Sequence, residues 1–197
     1  KIYGPKGIGA LYIKEKTGEI DRCYLHKFMH GANHELNRRA GTENVLLSVG
    51  LAKSCAIILE ELTEEMEHLA GLRDQLLNLI QKNVQLLNRK HQVRLSEKGT
   101  KEGDKELIKF VVNGSDDPKE RLPNTLSVAF ESFLAPDIIS RASSRIACSA
   151  GAACHTGDKT KISHVLRAMK IPSKYAMGTL RLSVGRFTTI DHLKAGA

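Results

Sequence analysis

Apolar residues recur at steps of mostly three, four or seven from Val45 to about Leu87, and this spacing restricts the fold more than any other feature. Such a period places them on one face of a helix. They are Cys55, Leu59, Leu62, Met66, Leu69, Leu76, Ile80 and Leu87. We predict a long amphipathic helix packed on a sheet, or a helix pair if Gly71 marks a bend or a break. Cys55 is then a small buried apolar residue.

Shorter patterned segments lie on both sides of this helix. Strands are predicted at 10–13, 107–112, 125–130 and 179–187. Helices are predicted near 136–141 and 161–170, and a last one starts with Thr188 or Thr189 as its N-cap. The charged run 93–106 is typical of a solvated hairpin or loop. Because strands and helices interleave, we expect the α/β class.

Size and charge exclude several kinds of protein. The chain has 197 residues, 41% of them hydrophobic, which is enough for one sizeable domain or two small ones. No run reaches the roughly 18 apolar residues of a membrane span, and the amino terminus has the composition of neither a signal peptide nor a transit peptide. The chain starts on Lys1 in what looks like structured sequence, which indicates a piece of a longer protein from which a targeting signal would be missing. The net charge is +8, but the basic residues are scattered and aromatics are only 5%, so we predict binding of small anions rather than nucleic acid.

The stretch RIACSAGAACHTGD, residues 145–158, holds two of the four cysteines. A metal site of Cys148, Cys154, His155 and His164 matches no common zinc spacing, so we predict no metal. So few, unevenly spaced cysteines indicate a reducing compartment, which disfavours a disulfide. A reactive thiol at Cys154 is the third hypothesis, since a neighbouring histidine or basic surroundings lower a thiol pKa. Cys148 and Cys23 are interpreted as structural.

Two further segments could bind anions. In NRRAGTEN, residues 37–44, arginines, a glycine and a threonine precede the long helix. They could surround a phosphate or carboxylate, or Thr42 or Asn44 could simply cap the helix. In TLRLSVGR, Arg181 alternates with apolar neighbours and should point away from them, as an edge residue or as a carboxylate clamp.

The motifs KIYGPKGIGALY, RAGTEN, LPNT, GAACH and LRLSVGRFTT, in this order, resemble cysteine desulfurases and the related selenocysteine lyases. These are class V, fold-type I enzymes that use pyridoxal 5'-phosphate (PLP). The resemblance implies that residues 1–65 are the end of the large PLP-binding domain, with a dimer-contact loop and the start of the long helix. Residues 66–197 would be the small C-terminal α/β domain with the catalytic cysteine loop.

The resemblance also implies a role for four residues. Lys1 would bind PLP covalently, Thr42 would reach the PLP phosphate of the partner subunit in a homodimer, Arg181 would hold the substrate carboxylate, and Cys154 would receive sulfur as a persulfide. The reaction would convert L-cysteine to alanine and pass sulfur to an acceptor protein for iron-sulfur cluster or thio-cofactor synthesis. The alternative is release of selenium from L-selenocysteine. A cytoplasmic location is expected, with a mitochondrial one as the alternative.

The sequence departs from the family pattern in one loop and in extent. GANHE, residues 31–35, stands where the family has GGGQE. The half of such an enzyme that precedes the lysine is absent from this chain, and with it most of the phosphate-binding residues. We therefore expect this chain alone to hold PLP poorly, and a non-catalytic dimerisation or interaction module is the alternative for it.

Overall fold

The structure is a computed structural model that describes residues 2–13, 26–97, 107–150 and 162–197. The chain divides into two compact units, Lys1–Leu62 and Thr63–Ala197. The assignment of residues 1–65 to the end of a large PLP-binding domain and of residues 66–197 to a small C-terminal domain stays a prediction.

The first unit holds the short helix α1 (His34–Asn37) and the start of helix α2 (Val45–Glu97). Pro5 packs closely on α2 at Gly50. A methyl group on Gly50 would lie only 2.9 Å from Pro5 Cγ. The strand predicted at 10–13 is wrong, since the described residues 2–13 contain no strand. A strand requires a hydrogen-bonded neighbour, and local alternation cannot supply one.

Helix α2 is one continuous element. It begins where Asn44 Oδ1 accepts a hydrogen bond from the backbone N–H of Leu47 at 3.1 Å, which makes Asn44 the N-cap. The helix runs through Gly71, which confirms the single long helix and not the helix pair of the two predicted alternatives. It continues to Glu97, so the loop predicted from residue 93 starts too early. Among the described helices, none is both long and apolar enough to cross a bilayer.

The second unit contains a three-stranded antiparallel sheet in the order β1-β2-β3. Its elements after α2 are β1 (Phe110–Val112), a 3-10 turn (Pro118–Glu120), β2 (Thr125–Phe130), α3 (Ala135–Ala142), α4 (His164–Ala168), α5 (Ser173–Ala176), β3 (Thr179–Ser183) and α6 (Ile190–Gly196). The interleaving of helices and strands confirms the α/β class. Strand β2 has the predicted bounds, whereas β1 and β3 are shorter than predicted.

The core of this unit lies on one face of the sheet. Its buried residues are Leu69, Leu72, Leu76 and Ile80 of α2, Leu126 and Val128 of β2, Leu180 of β3, Val184, Ala135 and Leu193. Each fully buried Leu, Ile or Val stabilises the fold by about 1.5–3 kcal/mol. This cluster therefore fixes which face of β3 is apolar, and so where its polar side chains point.

The predicted apolar face of α2 is buried in the middle of the helix and exposed on both sides of it, since Leu87 is 52% exposed. Leu59, Leu62 and Met66 are exposed, and Cys55 is exposed as well, so the prediction that Cys55 is buried is wrong. Leu69, Leu76 and Ile80 of the same helical face are buried. The periodicity thus located the apolar face correctly, but it did not indicate how much of that face is covered.

Candidate functional site

Arg181 lies in the middle of β3 and points away from the core. Leu180 is buried and Leu182 partly buried on the core side, while the Arg181 side chain is exposed. The alternation of a strand puts successive side chains on opposite faces, which is the orientation expected from the sequence. The guanidinium group is therefore presented on the face of the sheet opposite to the main core.

A pocket of about 320 Å³ opens on this face, and both Arg181 and Arg121 line it. Its walls also include Asn113, Ser127, Thr179 and, from α4, Leu166. Within the part of the chain that the structure describes, neither guanidinium group has a hydrogen-bond or ion-pair partner. Two unpaired cations at one pocket favour an anionic ligand, because guanidinium groups bind carboxylate or phosphate through paired N–H donors.

Polar residues cross the sheet in one line with Arg181. Ser127 is the register partner of Arg181 on β2. On the other side of Ser127, Asn113 donates its backbone N–H to Ser127 O at 2.9 Å, which continues the β1–β2 register by one residue. On the other edge of β3, Ser149 forms an isolated bridge with Arg181. We call Asn113, Ser127, Arg181 and Ser149 the polar row; cross-strand partners share a face, so these side chains lie on the same side.

The backbone of Arg181 also anchors the segment before Cys154. Arg181 N–H donates to Ser149 O at 2.7 Å, and Ser149 N–H donates to Arg181 O at 3.3 Å. Ser149 is five residues before Cys154 in the sequence. Cys154 itself lies outside the described residues, as do Lys1 and Cys23.

Cys148 has the environment of a structural thiol. It is partly buried and packs against the core cluster. This burial raises the pKa of the Cys148 thiol because desolvation penalises the charged thiolate. A thiol that stays protonated is a poor nucleophile.

The loop that contains Thr42 precedes α2 in the first unit. Gly41 has a φ of 105°, in the left-handed region that favours glycine, and the backbone carbonyl of Gly41 contacts His34 Nδ1 at 2.7 Å. Asn44 caps α2, which confirms one of the two interpretations of this motif. Thr42 is exposed, and among the described residues its hydroxyl has no hydrogen-bond partner. It is therefore available to an external anion.

A metal centre finds no support in the described part of the chain. No group of three or more His, Cys, Asp or Glu side chains is placed there to hold an ion. Two of the four ligands considered from the sequence, Cys154 and His155, lie outside that part.

The residues that sequence reasoning missed are Asn113 and Arg121 beside Arg181. The Asn-Gly pair at 113–114 is a turn signal, so Asn113 carried no sign of a pocket.

Several proteins of known family resemble this chain. It is 35% identical over 193 residues to the cysteine desulfurase IscS of Klebsiella pneumoniae (strain 342) and to that of Escherichia coli O139:H28 (strain E24377A / ETEC). Each alignment covers 98% of this chain and 40% of the relative. The chain thus spans about 40% of the length of these curated relatives.

Solved structures confirm the fold. A NifS-like protein is 26% identical with a TM-score of 0.68, over 98% of this chain and 40% of the other. A NifS-like protein from Rickettsia africae is 21% identical with a TM-score of 0.60, over 87% and 38%, and shows the fold alone. The family model described as Aminotransferase class-V matches residues 1–117. That match covers more than half of the sequence, and the chain belongs to the class-V aminotransferase family.

Proposed function

We propose that the protein is a PLP-dependent cysteine desulfurase, which converts L-cysteine to alanine and carries the released sulfur as a persulfide on Cys154. The observation that carries the proposal is the unpaired Arg181 guanidinium, which lines a 320 Å³ pocket opposite the core. Such a group matches the carboxylate that every α-amino acid presents. The cysteine desulfurase relatives, 35% identical, support the same reaction.

In the first unit, Thr42 supports the binding of a phosphate-bearing cofactor. The Thr42 hydroxyl is exposed and without a partner among the described residues, so it can donate to a phosphate oxygen. Enzymes of this family use PLP, which, when bound, withdraws electrons from the carbon atoms of the substrate. Lys1 would attach it covalently, and Thr42 would hold the phosphate of the cofactor in the partner subunit.

The side chains of this chain would divide the reaction between them. Arg181 binds the substrate carboxylate through two N–H donors and so fixes the orientation of the bonds at Cα. The Lys1 amine takes the proton from Cα as a general base. The Cys154 thiolate then attacks the substrate sulfur: an S–S bond forms and the Cβ–S bond breaks. The electron pair of that bond stays on Cβ, which takes up a proton. The protonated Lys1 amine then returns a proton to Cα, and the product leaves as alanine.

Sulfur is favoured over selenium as the atom that is released. The two bacterial relatives are named cysteine desulfurases, and they align with 98% of this chain. We therefore place L-selenocysteine second. The other proposed partners are a second copy of the chain and a sulfur-acceptor protein for iron-sulfur cluster synthesis, in the cytoplasm.

The test uses the protein expressed from its complete reading frame and supplied with PLP. L-cysteine and L-selenocysteine are added in parallel, and alanine, sulfide and selenide are measured. We expect alanine from L-cysteine together with a cofactor absorbance that is lost in Lys1→Ala. If neither substrate gives alanine while the cofactor is bound, the proposal is contradicted and a non-catalytic role is favoured.

A further inference from the structure

Two buried polar atoms are unpaired in the described part of the chain, and both belong to the polar row. They are Asn113 Oδ1 and Ser149 Oγ. A buried acceptor without a partner costs about 1–3 kcal/mol, so native proteins keep few of them. Both of these atoms occur in the line of residues that contains Arg181. This coincidence links the row to the task of Arg181 rather than to packing alone.

Asn113 contacts both residues that flank Arg181 on its own face of the sheet. Its Nδ2 donates to Ser127 Oγ at 3.1 Å and lies 3.4 Å from Thr179 Oγ1. Ser127 is directly opposite Arg181 on β2, and Thr179 precedes Arg181 by two residues on β3. Side chains at these positions adjoin the base of the Arg181 side chain.

The network around Asn113 is fixed at its far end. Thr179 Oγ1 donates to the backbone carbonyl of Tyr175 at 3.2 Å, and the Thr179 side chain is almost fully buried. Asn113 itself is 6% exposed. A side chain held in this way has few alternative conformations, so it can hold its neighbours in place.

We infer that Asn113 is a positioning residue for Arg181: it orders Ser127 and Thr179, and these restrict the guanidinium to the pocket in which it meets the substrate carboxylate. This inference rests on the proposed function. An arginine binds a carboxylate bidentately only in a narrow geometry. Because ordered neighbours already restrict the Arg181 side chain, that side chain loses less conformational entropy when the substrate binds. Asn113 touches neither substrate nor cofactor in this role.

The experiment compares Asn113→Leu with a matched control, Asn88→Leu, in the complete PLP-loaded protein. Asn88 is a partly buried asparagine whose side chain also makes two hydrogen bonds, to Ile108 O at 3.0 Å and from Ile108 N at 2.8 Å, but it is outside the pocket. Both variants should lose thermal stability. Asn113→Leu alone should raise the KM for L-cysteine roughly five- to tenfold, with a smaller change in kcat, because ground-state binding is weakened.

A double-mutant cycle with Arg181→Lys separates a positioning role from a structural one. If Asn113 acts through Arg181, the two effects on KM are not additive, and Asn113→Leu adds less than about twofold in the Arg181→Lys background. Additive effects, or equal KM values for Asn113→Leu and Asn88→Leu, would overturn the inference.

Binding of L-alanine, measured by calorimetry, keeps the test independent of turnover, since alanine carries the same carboxylate. If the wild-type protein bound alanine but produced none from L-cysteine, the proposed function would fail. A roughly five- to tenfold weaker affinity in Asn113→Leu alone would still support the inference. A wild-type protein that binds no α-amino acid would overturn both.

Discussion

The Arg181 side chain has a defined orientation because it stands between two leucines of β3. Leu180 and Leu182 face the core, so the guanidinium group must face the other way. In this respect a two-residue period in the sequence was sufficient to predict where the side chain goes. Asn113, which contacts Ser127 and Thr179, and Ser149, the backbone bridge partner of Arg181, come from segments distant in the sequence.

Substitution of Arg181 should mainly weaken substrate binding. Arg181→Lys keeps the charge but loses the two-point geometry, and we expect a KM for L-cysteine about tenfold higher. Arg181→Ala should raise it about 100-fold. Steady-state kinetics measure both. Arg141, an exposed arginine in the last turn of α3, provides the control, and an Arg141→Ala effect as large as that of Arg181→Ala would contradict the assignment.

Cys148 should react slowly with alkylating reagents. Its burial raises the thiol pKa, so its thiolate fraction at neutral pH is below that of an ordinary cysteine. We expect iodoacetamide to modify the exposed Cys55 faster than Cys148, as measured by mass spectrometry of peptides after brief treatment. Cys148→Ala should retain turnover of L-cysteine, and persulfide on Cys148 would refute its structural role.

At the scale of elements, close backbone contacts join β2, α5 and β3. Gly178 lies between α5 and β3, and its carbonyl accepts a hydrogen bond from Phe130 N–H at 3.1 Å. A methyl group on Gly178 would lie 2.1 Å from Phe130 O, which is backbone and cannot move aside. This approach brings the start of β3, and with it Arg181, into register with β2.

Gly178→Ala should therefore destabilise the fold by more than about 3 kcal/mol. The control is Gly71→Ala in α2, where an added methyl group meets no atom within 4 Å. That change should stabilise the helix by about 0.5–1 kcal/mol, since alanine loses less backbone entropy than glycine. Urea denaturation of both variants gives the comparison, and equal stabilities would contradict the packing described for Gly178.

Glu131 joins the end of β2 to α5 through Lys174, with 2.5 Å between Oε1 and Nζ. The hydrogen bond from Lys174 lowers the pKa of Glu131 below its ordinary value, despite some desolvation. A lowered carboxyl pKa stabilises the folded state above the unfolded pKa, and this contribution is lost as the pH falls through the folded pKa.

Glu131→Gln should thus lower stability at neutral pH, and the difference from the wild type should shrink on acidification below about pH 4.3. Thermal melts across this range measure it. Glu67→Gln, at an exposed position of α2, is the control for the loss of one surface carboxylate. A constant gap between wild type and Glu131→Gln at all pH values would argue against the ion pair.

Elements were predictable to the extent that their signals are local. The period of α2, the bounds of β2 and the cap at Thr189, which accepts from His192 N–H at 3.3 Å, follow from adjacent residues. The false strand at 10–13 and the overlong β3 depend on pairing, which is non-local. Strand β3 ends at Ser183, although the alternation continues to Phe187. Val184 N–H still donates to Asn124 O, one pair beyond Thr125–Ser183, but β2 begins at Thr125 and offers no regular partner further on.

At the scale of the whole molecule, α2 contributes to both compact units. Within the second unit, Glu65 lies near the start of the unit and Arg186 follows β3. Their side chains, both largely buried, form a charge-assisted hydrogen bond. The α/β class was predictable because strands and helices interleave along the sequence. The extent of burial along α2 was not, because periodicity does not reveal what covers a face.

The most direct test of the central claim is to locate the sulfur. The PLP-loaded protein, expressed from its complete reading frame, is incubated with L-cysteine and digested, and its cysteine-containing peptides are weighed by mass spectrometry. The account predicts one extra sulfur atom on Cys154, none on Cys148, and alanine in solution. Alanine without a persulfide on Cys154, or a persulfide that persists in Cys154→Ala, would contradict it.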